Sequence, residues 1–328
     1  MVFKNKQQNN KHIIFIQVGT LKYLLMKTKH SLLLIFAFIF LVGCNQNSSK
    51  PNASTYKPNY STPPFIIDAH VHYKATDAWE KSFLDVYSAR NAMGILMVRM
   101  KNLERGIQFA KAHPERIIPY AMIDIDSPTV LEDIKKVHVM GFKGLGELFA
   151  TNQWNYDDSK YEPIWALAEE LGMPVAPHTG IHASGRMSRM QPGYLATVGA
   201  NHPNLIIHAA HFGNPWYAEA GEVARRNDKL YFDLTGSSLI KKENDPGIWE
   251  EYLWWTPHVG KKVAHMPAKS VPAFEKIIFA SDEDPEALEE NIRRFNKMLD
   301  ANEIPEETRA KIYGLTMARL LGIEVASK

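Results

Sequence analysis

Two histidines with one residue between them, His70 and His72, end an apolar run that reads FIIDAHVHY over residues 65–73. Such a run is typical of a β-strand, in which alternate side chains share a face, so both imidazoles should project to one side with Asp68 below them. Imidazole is the commonest metal ligand in proteins, and two imidazoles on one face can bind a single ion. The alternative, two ordinary polar residues at a strand end, stays open for an isolated pair.

Residues of metal-binding type also end four later apolar runs. They are Glu147 in GFKGLGEL, His178 in MPVAPHTG, His211 in LIIHAAHFG and Asp282 in KIIFASDEDP. With the first pair they make four histidines and two carboxylates, a donor set that suits zinc and related divalent ions. The sequence therefore predicts a metal centre, provided that these run ends meet at one end of a sheet.

From residue 65 onward, short apolar runs alternate with longer amphipathic stretches. The eight strand candidates are 65–70, 94–100, 116–123, 141–148, 173–178, 205–211, 230–234 and 276–280. The helix candidates include 78–93, 103–113, 128–140, 161–171, 192–201, 216–226 and 285–299. Eight strands, each followed by a helical segment, over about 260 residues predict an α/β fold of the (β/α)8 TIM-barrel type. A doubly wound open sheet is the alternative, but no Gly-rich phosphate-binding loop follows the first strand.

In a TIM barrel the active site is built at the C-terminal ends of the strands, where the six metal-binding candidates lie. Substrate specificity is set by the loops at that end. In the fifth loop, His182, Arg186 and Arg189 are candidate contacts for an anionic substrate. Residues 239–270 show no clear period and predict an elaborated seventh loop, with a short helix over the barrel mouth.

The N-terminal residues differ from the rest in composition. A short basic region, 26–30, precedes an apolar run, 32–42, which is too short to span a bilayer and suits the core of a signal peptide. The run ends in Leu-Val-Gly-Cys, which resembles the lipobox of bacterial lipoproteins, where the cysteine is acylated and becomes the mature N-terminus. Cys44 is the single cysteine, so no intrachain disulfide can form.

Three segments follow from this composition. Residues 1–44 are predicted to be a signal peptide with a lipobox, of which 1–25 are superfluous if Met26 begins a complete signal. Residues 45–64, rich in Asn, Ser, Thr and Pro, predict a disordered tether, and 65–328 form the barrel. The expected location is the bacterial cell envelope, with the protein anchored to a membrane through lipid on Cys44.

The length of the chain limits its domain organisation, and its charge limits the binding partners to be expected. The chain has 328 residues, 45% of them hydrophobic, which allows a sizeable core in one large domain or two. Its formal net charge is +2, but residues 1–44 hold six lysines and no Asp, Glu or Arg. Subtracting six from +2 leaves −4 for the remainder, so no basic bias toward nucleic acid is expected.

The order and spacing of the motifs resemble the amidohydrolase superfamily, and more narrowly its group that includes aminocarboxymuconate semialdehyde decarboxylase and several lactonases. The resemblance extends over residues 67–323 and rests on DAHVH, PHTG, HPNLIIHAAHFGNPW, KLYFDLTG, FASDEDP and KIYGLTMARLLG. It implies that histidines and one carboxylate bind zinc or a related divalent ion. The implied ligands are His70, His72, His178 and Asp282, with His211 beside them.

This chain departs from the family pattern at two positions. Thr316 stands where the closing motif usually has Asn, a change that should affect only local packing. The group commonly lacks an acid at Glu147, whereas metal-dependent deoxyribonucleases of the superfamily carry a metal-bridging Glu in a similar Gly-Glu context. Whether one or two ions bind therefore stays open.

Because side chains alternate between the two faces of a strand, the position of each remaining polar residue predicts the face on which it lies. Lys143 and Glu147 share a face, and Glu147 lies nearer the C-terminal end, so it is the predicted ligand. Lys143 is a less favoured candidate for the carboxylated lysine of some relatives, with a barrel-bottom ion pair as the alternative. His208, three residues before His211, should face the helices. Asp233 is expected to hold a metal ligand or another strand in place.

The leading functional hypothesis is a metal-dependent hydrolase that activates a metal-bound water against an ester, lactone, amide or related small-molecule bond. Asp282 would take the proton of the water and pass it to the leaving group, and His211 would orient or polarise the substrate. The alternative is non-oxidative decarboxylation of an unsaturated acid, with Arg186 and Arg189 on the departing carboxylate. A non-enzymatic lipoprotein is a third hypothesis, against which the complete set of ligand positions argues. The substrate and the presence of a homo-oligomer stay open.

Overall fold

The structure of the protein is a computed structural model that describes residues 65–150, 154–183, 187–236, 240, 246–253, 255 and 272–325. Cys44, the predicted signal peptide and tether, Arg186 and most of the predicted seventh loop lie outside these residues. In the described part of the chain, no helix is long and apolar enough to cross a membrane.

Seven parallel strands form one sheet, in which they lie in chain order. They are β1 (Ile66–His72), β2 (Ala92–Arg99), β3 (Ile117–Met122), β4 (Gly144–Leu148), β5 (Val175–Pro177), β6 (Ile207–Ala209) and β7 (Leu230–Phe232). The first seven strand predictions each overlap one of these strands. A parallel sheet whose consecutive strands are joined by helices is an α/β fold of TIM-barrel type.

The predicted eighth strand, 276–280, is not a regular strand. A 3-10 turn covers Ala273–Lys276, and a single parallel bridge joins Ile277 to Phe232. The apolar run KIIFA correctly marks a buried segment, but burial by itself does not enforce the extended backbone of a long strand.

This segment still bonds to both edges of the sheet. The N–H of Ile278 donates to the Phe232 carbonyl of β7 (2.9 Å), and the N–H of Ala69 in β1 donates to the Phe279 carbonyl (3.0 Å). The N–H of Asp282 donates to the His70 carbonyl (2.8 Å). Residues 277–282 therefore lie between β7 and β1 and carry Asp282 to the end of β1.

Helices connect or follow the strands. They are α1 (Asp77–Ala89), α2 (Leu103–Ala112), α3 (Val130–Met140), α4 (Glu162–Glu170), α5 (Gly193–Asn201), α6 (Tyr217–Arg226), α7 (Pro246–Tyr252), α8 (Leu288–Ala301), α9 (Glu306–Ala310) and α10 (Thr316–Leu321). The Thr76 hydroxyl caps α1 by accepting from the Trp79 N–H, which would otherwise lack a partner. Gly141 ends α3 with φ of 106°, a conformation that favours glycine.

The structure corrects the length of the first predicted helix and locates the helix predicted in the seventh loop. The predicted helix 78–93 is too long, because its last two residues already belong to β2 and a short apolar run does not distinguish helix from strand. The predicted helix of the seventh loop corresponds to α7, whose Trp249 is buried with its ring centroid 6.3 Å from that of Phe212. Its predicted position over the barrel mouth concerns a loop that lies mostly outside the described residues.

The sheet separates two buried apolar layers. In β2, Met93, Ile95 and Met97 belong to the inner layer, while Leu96 and Val98 belong to the outer layer against the helices. Alternate residues of a strand thus face the two layers, which is the arrangement of a closed or nearly closed barrel.

Candidate metal centre

Four donor atoms meet at the C-terminal ends of β1 and β4 and at the segment that follows Phe279. The Nε2 atoms of His70 and His72 lie 3.3 Å apart. His72 Nε2 is 3.5 Å from Glu147 Oε2 and 3.3 Å from Asp282 Oδ1. His70 Nε2 is 3.7 Å from each of the same two oxygens. Ligand atoms ~2.05 Å from a tetrahedral ion lie about 3.3 Å apart, so His70, His72 and Glu147 are spaced closely enough to bind one ion, and Asp282 lies beside the two histidines at similar distances.

Glu147 also belongs to a second group of donors. Its Oε1 lies 2.7 Å from His178 Nδ1 and 3.1 Å from His211 Nε2. The ring centroids of His178 and His211 are 4.4 Å apart. The structure therefore brings all six predicted ligands close together: two groups of three share Glu147, and Asp282 lies beside the two β1 histidines. His178 lies with Glu147 and His211, and not in the group formed by the two β1 histidines.

Asp233, which directly follows β7, holds two of the histidines. Its Oδ2 lies 3.1 Å from His70 Nδ1, and its Oδ1 accepts from the His211 N–H (2.8 Å). The N–H and hydroxyl of Thr235 also donate to Asp233 Oδ1, at 3.0 and 2.6 Å. A carboxylate on Nδ1 orients a histidine ring so that Nε2 faces the ligand position. Asp233 thus lies where a positioning residue is expected.

The histidine end of β1 is irregular. The register between β1 and β2 shifts between Asp68 and Val71. Asp68 does not lie below the histidines as predicted, because it accepts from the Tyr87 hydroxyl of α1 (2.7 Å) and from the Ser281 N–H (2.9 Å). Strict alternation fails here because the register shift breaks the regular pleat. Burial outweighs these hydrogen bonds and raises the pKa of Asp68 to about 6.

The buried charges of the site hold one another in ionised form. Burial alone would raise the pKa of Glu147, but His70, His178 and His211 outweigh burial and hold that pKa well below its usual range. Burial alone would lower the pKa of His70, but Glu147 and Asp233 outweigh it and raise that pKa well above its usual range. A carboxylate kept ionised beside a protonated imidazole indicates a place where positive charge is favoured.

These residues fit a divalent ion. The donors are imidazole nitrogens and carboxylate oxygens, which suit zinc and related metals. His178 Nε2 and His72 Nδ1 are buried and have no hydrogen-bond partner among the described residues. An unpartnered buried polar atom costs about 1–3 kcal/mol, which a ligand or water on that atom would offset.

Five of the six donors, all except His70, line a cavity of about 800 Å³. His182 lines it too, with its ring centroid 5.2 Å from that of His178. Arg189 is not among the described residues that line the cavity, and its Nη1–H donates to Asn155 Oδ1 (3.1 Å). Arg186, the third substrate candidate, lies outside the described residues.

Two cations that were not predicted line this cavity, Arg99 and Lys101. Arg99 is the one charged residue of β2, AMGILMVR, and it ends the strand. The strand-end rule that identified Glu147 would therefore have identified Arg99 as well. Lys101 lies in the 3-10 turn Met100–Asn102, for which the sequence carries no comparable signal.

The structure also shows where Lys143 and His208 lie. Lys143 is exposed and precedes β4, and it does not line the cavity. His208 does not face the helices: its ring centroid lies 5.2 Å from that of Tyr120, which belongs to the inner layer. The prediction was wrong because β6 ends at Ala209 and His211 has φ of 69°, so strand alternation does not extend between the two histidines. Burial lowers the pKa of His208 to about 4.

Fold and site together define a TIM-barrel-type protein with a candidate divalent-metal centre at the ends of its strands. Residues 67–323 match the family model described as Amidohydrolase. The chain belongs to the amidohydrolase family, and it is an enzyme of that superfamily.

Solved structures of similar fold agree with this architecture. An uncharacterised TIM-barrel protein from Bordetella bronchiseptica is 17% identical with a TM-score of 0.57, over 79% of this chain and 98% of that chain. The 5-carboxyvanillate decarboxylase of Sphingomonas paucimobilis is 12% identical with a TM-score of 0.52, over 80% and 100%. At these identities the likeness shows the fold alone. None of the curated proteins compared with the chain matches it.

Proposed function

We propose that this enzyme is a metal-dependent hydrolase that adds water to an ester, lactone, amide or related bond of a small molecule. The position of Asp282 carries the proposal. Its Oδ1 lies within 3.3 Å of His72 Nε2 and 3.7 Å of His70 Nε2, and the residue lines the cavity. A carboxylate at the boundary between the ligand group and the substrate space can accept a proton from an attacking water.

The residues of the site take different parts in this reaction. When bound, a divalent ion, most simply zinc, supplies a water of lowered pKa and a Lewis acid for a substrate carbonyl. His70, His72 and Glu147 would hold it, with Asp282 as the fourth donor. Asp282 takes the proton of the attacking water and returns it to the leaving group.

His211 is the residue best placed to orient the substrate. It lines the cavity, its Nδ1 lies 2.9 Å from the Thr235 carbonyl, and its Nε2 faces Glu147. A neutral imidazole with Nδ1–H donating to Thr235 presents Nε2 as an acceptor or ligand, and a protonated one presents it as a donor. His211 would therefore contact the substrate carbonyl, or would help to bind a second ion together with Glu147 and His178.

A second candidate function uses the same site for non-oxidative decarboxylation of an unsaturated carboxylic acid. The observation that favours it is the pair of cations, Arg99 and Lys101, on the wall of the same cavity. A cation is needed to hold a carboxylate while it departs. The solved decarboxylase of similar fold acts on 5-carboxyvanillate, and that likeness by itself extends only to architecture.

One experiment separates these functions. The full chain, loaded with Zn²⁺, is assayed against lactones, esters, amides, phosphoesters and unsaturated carboxylic acids, with alcohol, acid and CO₂ release all measured. Hydrolysis without CO₂ supports the first proposal, and CO₂ release from an acid supports the second. Metal analysis of the same sample counts one or two ions. A chain that takes up no divalent metal and turns over none of these compounds would overturn both.

We also propose that the enzyme works at the bacterial cell envelope, held by lipid on Cys44. This proposal rests on the signal-peptide pattern and on the polar composition of residues 45–64.

A further inference from the structure

The cavity carries two cations that no step of the proposed hydrolysis uses. Arg99 ends β2, Lys101 follows it in the 3-10 turn, and both side chains are exposed to solvent where they line the cavity. Among the described residues, neither side chain has a hydrogen bond or an ion pair. Neighbouring cations are paired: Lys74 with Asp284 (2.7 Å) and Arg105 with Glu80 (2.9 Å).

Strand geometry aims Arg99 at the barrel mouth. Met93, Ile95 and Met97 belong to the inner layer, and Arg99 is the next residue of the same parity. In the ladder between β1 and β2, His72 pairs with Met97. Arg99 therefore lies two residues, or about 6.6 Å along the strand, beyond the level of His72.

The cations also stand where two cavities meet. A second cavity of about 390 Å³ is lined by Lys74 and Asn102 among others, and it shares His72, Arg99 and Lys101 with the first. A molecule with its reacting bond beside His72 therefore has room to extend past both cations on either side.

The charge count of the cavity favours an anion. Glu147 and Asp282 are balanced by one divalent ion, and Asp124, the third carboxylate among the described lining residues, balances one of the two cations. One positive charge remains, and a second ion would add more. A concave site with excess charge of one sign concentrates ligands of the opposite sign.

We propose that Arg99 and Lys101 form a subsite for an anionic group of the substrate, a carboxylate or a phosphate, that lies apart from the bond attacked at the metal centre. The guanidinium of Arg99 can donate two parallel hydrogen bonds to such a group, and the Lys101 ammonium adds a point charge. The statement that the anion is part of a substrate rests on the proposed function. The statement that Arg99 and Lys101 bind an anion is independent of the reaction that the enzyme catalyses.

Binding of three probes to the full chain tests this subsite: isophthalate, phenyl phosphate and the neutral dimethyl isophthalate, each titrated by ligand-observed NMR. The titrations are run with Zn²⁺ and again after chelation, because a carboxylate can also bind the metal. The variants are Arg99→Met, Lys101→Met and the double variant. Lys111→Met, in α2 and outside the cavity, is the matched control.

The Zn²⁺-loaded wild type should bind at least one anionic probe about ten-fold more tightly than the neutral ester, a difference of ~1.4 kcal/mol. After chelation the three lining carboxylates outnumber the two cations, so the preference should be smaller. Arg99→Met should weaken that binding by about ten-fold, Lys101→Met by less, and the double variant should lose the preference. Lys111→Met should behave as wild type. The tighter of the two anionic probes identifies carboxylate or phosphate.

Two results would overturn the subsite: equal or undetectable binding of acid and ester by the wild type, or a double variant within two-fold of wild type for the anions. Neither depends on turnover. If anion binding is lost in the variants but the Zn²⁺-loaded wild type hydrolyses nothing, the proposed function fails and the subsite stands. If neutral and anionic esters are hydrolysed equally and no anion preference is found, the subsite fails and the function stands.

Discussion

At the scale of single residues, the two carboxylates of the donor groups have different surroundings. Glu147 is buried, and histidines contact both of its oxygens. Asp282 is 20% exposed at its side chain, and its contacts with His70 and His72 both use Oδ1. A carboxylate enclosed by imidazoles is suited to hold a cation, whereas one that borders the cavity can also exchange protons with water and substrate.

The first prediction separates these roles. His70→Ala removes a donor, so metal occupancy should fall, activity should fall with it, and excess metal should partly restore both. Asp282→Asn can still offer an oxygen but accepts no proton, so metal should remain while turnover falls by ~10²–10⁴. Metal analysis and turnover are measured on the same samples.

Asp124→Asn is the control for that comparison, because Asp124 lines the same cavity outside the donor groups. It should retain both metal and turnover of neutral substrates to within a few-fold. If Asp282→Asn at full metal occupancy turned over within a few-fold of wild type, Asp282 would be a dispensable donor. The proton acceptor would then have to be His211 or Glu147.

Lys276 gives a prediction that is independent of the metal. It is 2% exposed, and its Nζ donates to the carbonyls of Asn227 (2.6 Å) and Asp228 (3.1 Å). Burial lowers its pKa to about 7 from 10.5. Between these two values the unfolded chain binds a proton that the folded chain does not, so the free energy of unfolding should rise with pH across that window.

The comparison is between wild type and Lys276→Met, measured as urea midpoints from pH 6 to pH 10. The stability of wild type relative to the variant should be flat below about pH 7 and rise above it. At ~1.4 kcal/mol per pKa unit, the three pH units from 7 to 10 set an upper limit of about 4 kcal/mol on the rise. A difference that stays constant with pH would show that Lys276 keeps its proton in the folded protein.

Residue types and strand ends were enough to predict which six side chains meet, but not how they group. His211 and Asp282 have φ of 69° and 53°, conformations that non-glycine residues seldom adopt. Such backbone turns change the direction of a side chain after its strand has ended, and the hydrophobic periodicity of the sequence does not reveal them. The same limit explains the wrong placement of His208 and of Asp68, since both predictions extended regular alternation past an irregular position.

At the scale of elements, the segment 277–282 decides whether the sheet closes. It lacks a regular strand, but it bonds to β7 through the Ile278 N–H and to β1 through the Phe279 carbonyl. The amides of Ile278, Ala69 and Asp282 should therefore exchange with deuterium as slowly as amides within β1 and β2. Residue-resolved hydrogen exchange measures this. Fast exchange at Ile278 and Ala69 beside slow exchange in β2 would show an open sheet.

Elements were predicted best where the hydrophobic pattern is long. The apolar runs of β1 to β4 correspond to strands of at least five residues, whereas those of β5, β6 and β7 correspond to strands of three. The predictions for β3 to β7 were all longer than the strands that form. In the three-residue strands the predicted run extends beyond the paired residues, at both ends of β5 and β6 and at the C-terminal end of β7. Pairing depends on the neighbouring strand, which a single run does not reveal.

At the scale of the whole molecule, the chain divides by composition. All six lysines of residues 1–44 precede the cysteine, and the family match begins at residue 67, beyond the polar stretch 45–64. If residues 45–64 act as the proposed tether, the catalytic domain can keep its activity whether or not the chain is anchored. Anchoring and catalysis should therefore be separable by mutation.

The last prediction uses this separation. Cys44→Ser should leave metal binding and turnover unchanged, but it should abolish incorporation of labelled palmitate and release the protein from membranes. An acyl chain contributes ~0.8 kcal/mol per buried CH₂, and the apolar run 32–42 is shorter than the ~20 residues that span a bilayer. Ser48→Ala is the matched control and should sediment with membranes as wild type does. Sedimentation is measured in the bacterial host after a carbonate wash, which removes loosely bound protein. If Cys44→Ser still sedimented after that wash, another part of the chain would be the anchor, and lipid on Cys44 would not be what holds the enzyme at the envelope.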